Sequence, residues 1–325
     1  MQLDASRGVN SSGASVVVGI ATRNRAKILL KAIASARTQS HSPTRVHVFD
    51  DCSDDGACEL RQTEPDVTWE VSAAPVGIIK ARNQLMLQAT EDFYVSLDDD
   101  AWFIKGDEVE IAVRYLQDNP WVGAVAFDIL TPDADKIRPR GRVRSVSMFI
   151  GCGHVIRLDL ARQLRGYKVY PGFYGGEEQD FCLKLLDLGF SVALLEGVHV
   201  WHDKTMMGRD IATQHRSGVC NDLSRIFVRF PAAVLVPAVF LKFLSHLRFA
   251  KANKLVRPTL EGTMDFVGSM QELLRLREPV SWRTIRKARK IQGVTAPTPL
   301  DTWKKFDRSL SKRDETGTSE PTYDA

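Results

Sequence analysis

Short apolar runs alternate with amphipathic segments over the first 130 residues of the chain. Ser15–Thr22 is a run of small and β-branched residues, as expected for a strand buried on both faces. Arg25–Thr38 instead spaces its apolar residues three and four positions apart, which is typical of an amphipathic helix. The predicted strands are Ser15–Thr22, Arg45–Phe49, Val67–Val71, Phe93–Leu97 and Val122–Leu130, and the predicted helices are Arg25–Thr38, Ile78–Ala89 and Asp107–Gln117. This alternation predicts an α/β fold with a mostly parallel sheet, flanked by helices on both faces.

The pattern is looser after residue 130. Polar residues predict a loop over Thr131–Arg144, and Glu178–Leu188 predicts a helix closed by Gly189. Further strands are predicted at Val146–Ile150, at Ser191–Leu195 and at Val198–His202. We therefore predict a disordered N-terminus (1–14), a catalytic domain (15–220, with halves 15–130 and 131–220), a basic helical extension (221–292) and a polar tail (293–325).

The most apolar segment of the chain is Arg225–Ala250. Its uninterrupted core, Phe230–Leu241, is too short to cross a bilayer and contains Pro231 and Pro237, which are expected to break it. Residues 242–313 then carry 17 Lys and Arg against 6 Asp and Glu, within a chain whose net charge is only +4. The segment either packs on the catalytic domain or lies in a membrane interface, and the basic excess favours the interface.

Composition indicates a globular cytoplasmic protein and does not favour a nucleic-acid-binding one. Apolar residues make up 44% and charged residues 26% of the chain, as in ordinary globular proteins. The five cysteines show no C-x-x-C spacing, and residues 1–14 lack the apolar run of a secretion signal, so we predict reduced thiols and a cytoplasmic location. The positive charge lies outside the α/β region, so nucleic acid is not an expected partner.

Three adjacent carboxylates, Asp98-Asp99-Asp100, follow the predicted strand Phe93–Leu97 directly. Ligands of open parallel sheets bind at the carboxyl ends of the strands. Clustered carboxylates are costly there without a cation, and oxygen ligands suit Mg²⁺ or Mn²⁺. The run therefore predicts a metal site, with a solvated acidic turn as the alternative.

Two other strands end in polar loops. Thr22, Asn24 and Arg25 follow the first strand, and they either begin a helix or line a ligand pocket. The loop Asp50–Gly56 holds four acids, more than helix capping requires, and its oxygens could accept hydrogen bonds from a nucleobase or ribose.

Acids and a histidine recur later in the chain. Gly175–Asp180 lies at the start of the predicted helix Glu178–Leu188. The acids there are either stabilised by the helix dipole or include a general base for an acceptor hydroxyl. His202 ends a short strand, where it is either structural or completes the ligand set of Mn²⁺.

Together these segments resemble the family 2 glycosyltransferases of the GT-A fold, with its Rossmann-like sheet, across about residues 15–205. The matching segments are VVVGIATRNR, HVFDDCSDDG, GIIKARNQLM, YVSLDDDAW, GGEEQDFCLKLLDLG and the VWH that ends at His202. Their order along the chain makes the set specific. The interval from Glu178 to His202 is similar to that of galactofuranosyl- and rhamnosyltransferase-like members.

The resemblance implies residue roles on the donor side of the site. Asp51 lies where the family binds the pyrimidine base, and Asp100 is the expected metal ligand of the D-x-D element. Asp98 is expected near the ribose or donor sugar and as a second metal ligand, and His202 as the third. The remaining residues implied in nucleotide-sugar binding are Thr22, Asn24, Arg25, Asp50, Arg82, Asn83 and Asp99.

The resemblance also implies a catalytic base at Glu178. The family usually has a Glu-Asp pair there, whereas this chain has Glu-Glu, so Glu177 or Asp180 are alternatives. The implied reaction is an inverting, Mn²⁺- or Mg²⁺-dependent hexosyl or deoxyhexosyl transfer to a hydroxyl of a glycan, lipid-linked saccharide or small molecule.

The expected partners are a UDP- or dTDP-sugar, the acceptor, a membrane surface contacted through 225–292 and a second copy of the chain. A nucleotidyltransferase is a weaker alternative, because residues 19–25 contain one glycine and no Gly-rich phosphate loop. A sugar- or nucleotide-binding protein without activity is the third hypothesis.

Overall fold

The computed structural model describes residues 13–42, 44–132, 138–204 and 210–291. Its strands are β1 (Val16–Thr22), β2 (Thr44–Asp50), β3 (Thr68–Val71), β4 (Phe93–Asp98), β5 (Ala101–Phe103), β6 (Val122–Leu130), β7 (Arg142–Val146), β8 (Gly153–Arg157) and β9 (Ser191–His202). Its helices are α1 (Ala26–Arg37), α2 (Leu60–Thr63), α3 (Ile78–Gln88), α4 (Glu108–Asp118), α5 (Leu158–Gln163), α6 (Glu177–Asp187), α7 (Ile211–Arg229), α8 (Ala232–Asn253), α9 (Val256–Gly268), α10 (Met270–Arg275) and α11 (Trp282–Lys290).

All nine strands belong to one sheet, in the order β3-β2-β1-β4-β8-β6-β9-β5, with β7 paired to β9 outside this path. Strands β1 to β4, β6 and β9 run in one direction, whereas β5, β7 and β8 are antiparallel to their neighbours. The prediction of a mostly parallel sheet flanked by helices is confirmed.

The sheet is covered on both faces, and β1 shows why its sequence is continuously apolar. Val16, Val18 and Ile20 pack into one cluster with residues of α1 and α4. Val17 and Ala21 point to the other face, where α3, α5 and α6 supply the partners. Because alternate side chains enter two separate cores, residues 16–21 are all apolar, and the polar Thr22 comes only at the end of the strand.

The prediction was wrong between β6 and α5. Val146–Ile150 is not a strand; β7 ends at Val146 and overlaps the predicted loop, and β8 begins only at Gly153. The short strand β8 was not predicted, because Gly151 and Gly153 lie at its start. The apolar run Val146–Ile150 before it belongs to the connection between β7 and β8. The connection needs Gly151, where a Cβ would lie 2.6 Å from Oε1 of Glu178.

The helices after β9 form a layer of their own. The predicted domain boundary at residue 220 falls inside α7. Pro231 separates α7 from α8, as expected, whereas Pro237 lies within α8 and does not end it, so the expected interruption is wrong at Pro237. One helix of the described chain, α8, has the length and hydropathy of a membrane span, and none of its apolar window is buried in the molecule. The predicted N-terminal and C-terminal disorder falls mainly outside the described residues.

Candidate active site

Strand register brings the aspartate run, a histidine and a cysteine to one point. Leu97 of β4 pairs with Gly153 of β8, so Cys152 lies beside Asp98. Ala101 of β5 pairs with His202 of β9, and the backbone N–H of Asp203 donates to the carbonyl of Asp100 at 2.9 Å. The antiparallel pairing of β5 with β9 therefore places the carboxylates next to the histidine.

These residues form a donor set suited to a divalent cation. One ligand atom each from Asp98, Cys152 and His202 lies within 4.8 Å of the others. Nε2 of His202 is also 3.2 Å from Oδ1 of Asp100, whose side chain is fully buried. Ligands on opposite sides of a small divalent ion are about 4 to 4.5 Å apart, so the set fits one ion.

Two arginines balance the three carboxylates. Nη1 of Arg25 is 2.9 Å from Asp99 and 3.2 Å from Asp100, and Arg82 pairs with Asp98. Burial raises the pKa of Asp99 to about 6, against the opposing charge of Arg25. Because Oγ1 of Thr22 also donates to Asp99 at 2.9 Å, this aspartate is held on the β1 side, away from His202.

The imidazole of His202 is sensitive to the same charges. Burial disfavours its protonated form, yet interactions with Cys152 and Asp100 raise the pKa to about 10. A bound cation would replace that proton, since a metal ligand must present a free nitrogen lone pair.

The loops after β1 and β2 are joined by hydrogen bonds. Oγ of Ser53 accepts from the backbone of Asn24, and Oδ1 of Asn24 accepts from the backbone of Asp54, both at 2.9 Å. Asn24 has a φ of 56°, a conformation that asparagine tolerates. Asp55 accepts from the N–H of Ala26 at the start of α1, so neither Thr22 nor Asn24 caps this helix through its side chain.

The two aspartates at the end of β2 differ in their environment. Asp51 accepts from the backbone N–H groups of Val76 at 2.6 Å and Gly77 at 2.9 Å, which fixes the start of α3. Asp50 is fully buried and accepts from the N–H of Ser53 through Oδ1. Its Oδ2 has no hydrogen-bond partner among the described residues.

Glu177 and Glu178 begin α6 and face the aspartate run across Arg82. Nη1 of Arg82 is 3.5 Å from Glu177 and 3.9 Å from Glu178, and the same guanidinium holds Asp98. Burial and the neighbouring carboxylate of Glu178 raise the pKa of Glu177 to about 8. The pKa of Glu178 is also raised by burial, but Arg82 and a hydrogen bond from Glu177 oppose this. The pKa of the pair is therefore raised as a whole, and the direction of these interactions favours Glu177 over Glu178 as the protonated member.

The third acid of α6, Asp180, is part of a buried ion pair. It is fully buried, and its two oxygens accept from Nε and Nη2 of Arg229 at 2.6 Å and 3.1 Å. The hydroxyl of Tyr170 donates to it at 2.6 Å. These bonds leave Asp180 joined to α7, so the geometry favours Glu178 over Asp180 as a base.

Asn83 lies next to Arg82 on α3, but its amide is bonded to the chain itself. Nδ2 donates to the carbonyl of Tyr167 at 2.9 Å, and Oδ1 accepts from the N–H of the same residue at 2.8 Å. The side chain thus closes the loop after α5 onto α3.

Replacing Asn83 by alanine is expected to lower the free energy of unfolding by about 1 to 3 kcal/mol, because both backbone groups of Tyr167 lose their partner. Donor affinity should stay within about twofold, and both are measured by chemical denaturation and by calorimetric titration of the nucleotide. Unchanged stability with weakened donor affinity would contradict this and assign Asn83 to the donor.

The raised pKa of Glu177 predicts a pH-dependent stability. The folded protein retains a proton that the unfolded chain loses near pH 4.5, so stability falls as pH rises towards 8, by at most about 1.4 kcal/mol per pH unit. Glu177→Gln should remove most of this slope in denaturation curves between pH 5 and 8. The exposed Glu59→Gln is the matched control, and an equal slope in all three proteins would refute the shared proton.

Cys152 was missed because β8 was not predicted, and the pattern of one cysteine between two glycines carries no signal of its own. All sequence-predicted metal residues, Asp98, Asp100 and His202, do meet in space. Of the predicted nucleotide-binding residues, Thr22, Arg25, Arg82 and Asp99 contact the aspartate run or belong to it. Asn24 and Asp51 lie in the loops after β1 and β2, and Asp50 is the last residue of β2.

The mixed sheet and the helices on its faces define the GT-A glycosyltransferase fold. Three solved structures share it at low identity. S. aureus TarS residues 1–349 with UDP-GlcNAc has 14% identity and a TM-score of 0.57, covering 81% of this chain and 82% of that chain. The mannosyltransferase PcManGT from Pyrobaculum calidifontis with GDP-Man and Mn²⁺ has 16% identity and a TM-score of 0.55, covering 95% and 89%.

GalNAc-T7 with UDP, GalNAc and Mn²⁺ has 12% identity and a TM-score of 0.56, and covers 69% of this chain. This chain spans about half of GalNAc-T7, 49% of its length. The family description "Glycosyl transferase family 2" matches residues 17–164, from β1 to the end of α5. No curated protein sequence matches the chain significantly.

Proposed function

We propose that this protein is a metal-dependent, inverting glycosyltransferase that moves a hexosyl or deoxyhexosyl group from a nucleoside-diphosphate sugar to a hydroxyl acceptor. The observation that carries the proposal is the position of Arg82. Its guanidinium contacts Asp98 of the cation site and both Glu177 and Glu178 at the start of α6. Nη2 of Arg82 contacts the proposed metal ligand and Nη1 the proposed base, so one side chain links the two groups that the transfer would use.

The residues fit a Mn²⁺ or Mg²⁺ ion on Asp98, Asp100 and His202, which would neutralise the charge developing on the diphosphate leaving group. Arg25 is placed to share that role, since it already lies against Asp99 and Asp100. The ligands bound to TarS (UDP-GlcNAc), PcManGT (GDP-Man and Mn²⁺) and GalNAc-T7 (UDP, GalNAc and Mn²⁺) support this assignment.

Glu178 is proposed as the general base. Its side chain is 19% exposed against 2% for Glu177, so it is the member of the pair that an acceptor can reach. The acceptor oxygen forms the new bond to the anomeric carbon as the bond to the diphosphate oxygen breaks, and Glu178 takes the hydroxyl proton. Glu177 retains its own proton throughout and keeps Glu178 oriented.

The donor is proposed to be a UDP- or dTDP-sugar. Both bases present a ring N–H, and the loop after β2 is rich in oxygen acceptors. The buried Oδ2 of Asp50 lacks a partner among the described residues and would gain one from such a donor. The acceptor is proposed to be a glycan or lipid-linked saccharide, which would make this a step of polysaccharide assembly.

The function is tested by measuring donor-dependent thermal stabilisation with Mn²⁺ over a panel of UDP-, dTDP- and GDP-sugars, followed by product analysis. Release of nucleoside diphosphate with an inverted anomeric centre in the product supports the proposal. Release of pyrophosphate would identify a nucleotidyltransferase, and binding without any product would identify a non-catalytic binder. Chelation of the metal should abolish transfer.

We also propose that the protein is cytoplasmic and contacts the anionic face of a membrane through α8. The exposed stripe of this helix begins with Val236, Phe240 and Leu241, which are 76%, 57% and 64% exposed. It continues with the exposed cations Arg248 and Lys251. Apolar residues followed by cations on one stripe match the acyl and headgroup layers of an anionic lipid surface.

A peripheral position agrees with the contacts of α8. Lys242 and His246 lie 2.7 Å and 3.1 Å from Asp222 of α7, so the helix is attached to the helical layer along its second half. Flotation with vesicles that contain phosphatidylglycerol should recover the protein, and Leu241→Ser with Phe240→Ser should abolish recovery. Trp121→Ser, at an exposed site of the sheet domain, is the matched control. A dimer that these same two changes dissolve, without vesicle binding, would assign the stripe to a second copy.

A further inference from the structure

The inferred cation site contains a sulfur atom that the resemblance does not supply. Cys152 is 1% exposed, and its Sγ lies within 4.8 Å of the ligand atoms of Asp98 and His202. The position follows from strand register, because Leu97 pairs with Gly153, and Asp98 and Cys152 are the residues next to this last pair. Gly153 allows close packing at this point, since a Cβ there would lie 2.7 Å from Cδ1 of Ile129 and would displace that side chain.

A second observation points to a ligand at the same place. Both ring nitrogens of His202 are buried, and neither makes a hydrogen bond of normal geometry to a described residue. Its Nε2 is 3.2 Å from Asp100, and its ring interacts with the Cys152 thiol. A buried imidazole among a thiol and two carboxylates, without a well-formed hydrogen bond, is better explained by a metal ligand than by core packing.

We propose that the Cys152 sulfur is a direct ligand of the cation held by Asp98 and His202, so that this site accepts thiophilic divalent ions as well as Mn²⁺. The inference rests on the proposed metal site but not on the transfer reaction. On binding, the S–H bond is exchanged for a sulfur–metal bond, and the proton is released to solvent. Mixed sulfur, nitrogen and oxygen donors favour Co²⁺, Zn²⁺ and Cd²⁺ over Mg²⁺, whereas oxygen-only sites favour Mg²⁺.

The competing explanation is that Cys152 only fills space. It belongs to the apolar cluster on the α1 side of the sheet, and a buried cysteine commonly acts as a small apolar residue. This explanation predicts no sulfur–metal bond under any condition, so the two are separable by spectroscopy.

The test is titration of the full chain with Co²⁺ in the presence of UDP, followed by absorption and calorimetry. We expect a sulfur-to-cobalt charge-transfer band that saturates at one ion per chain. Cys152→Ser should lose this band while still binding Co²⁺, with affinity weakened at least about tenfold. Cys220→Ser, at an equally buried thiol in the helical layer, should keep the band.

Co²⁺ binding by the unaltered protein without a charge-transfer band would overturn the proposal, as would a band that persists in Cys152→Ser. If the chain binds no Co²⁺ with UDP, the metal site itself is refuted. The outcome does not depend on turnover, so failure of the Cys152 proposal leaves the glycosyltransferase proposal standing.

Discussion

Glu178→Gln is expected to lower kcat by a factor of about 10² to 10⁴, because the amide cannot accept the proton of the acceptor hydroxyl. The change keeps the size and shape of the side chain and removes one negative charge near Arg82. The proposed donor site lies next to Asp98, which pairs with another nitrogen of that guanidinium, so donor affinity and its stabilising effect should be retained. The measurement is steady-state transfer together with donor-dependent thermal shift.

Two further variants separate base chemistry from packing. Glu178→Asp keeps a carboxylate but withdraws it by one methylene, so it should retain more activity than Glu178→Gln. Glu177→Gln should retain most activity, because burial and the neighbouring Glu178 raise the pKa of Glu177 and so favour its neutral form. Turnover by Glu178→Gln within a few-fold of the unaltered protein would exclude Glu178 as the base. A larger loss of turnover in Glu177→Gln than in Glu178→Gln would identify Glu177 as the base instead.

The parts of this site that sequence could predict are those carried by strands with a strong pattern. The run Phe93–Leu97 is apolar and ends directly in acids, so the position of Asp98 at a strand end follows from periodicity alone. The position of His202 beside Asp100 does not follow from periodicity, because it depends on the three-residue strand β5, which is too short to show a period. Only the family resemblance linked the two residues before the structure was known.

Other features depend on tertiary contacts that leave no local signal. Asn83 follows Arg82 in a segment that resembles a donor-binding pair, yet its amide is oriented by the backbone of Tyr167, 84 positions away. Pro237 was expected to end a helix because the ring removes a backbone donor, but α8 continues through it. Local propensity thus placed most elements, while long-range pairing decided which side chains meet.

Arg229→Met is expected to destabilise the protein by about 3 to 5 kcal/mol, because it leaves the fully buried Asp180 without its counter-ion. For a chain of this size, this corresponds to a decrease in Tm of roughly 5 to 15 °C. Arg229 also donates to the carbonyl and carboxylate of Glu278, so it joins α6, α7 and the segment before α11. The variant should therefore lose cooperativity between the sheet domain and the helical layer.

The chain offers a control with the same chemistry and less burial. Arg216, also on α7, binds Asp265 through two bonds of 2.6 Å and 2.8 Å, but its side chain is 46% exposed. Arg216→Met should cost much less stability than Arg229→Met, since water screens the pair and can solvate the remaining carboxylate. The double variant Arg229→Met with Asp180→Asn should recover part of the lost stability, because no buried charge remains. Equal effects of Arg229→Met and Arg216→Met on the denaturation midpoint would contradict this. They would show that the burial of Asp180 does not determine how firmly α6, with the proposed base Glu178, is held in place.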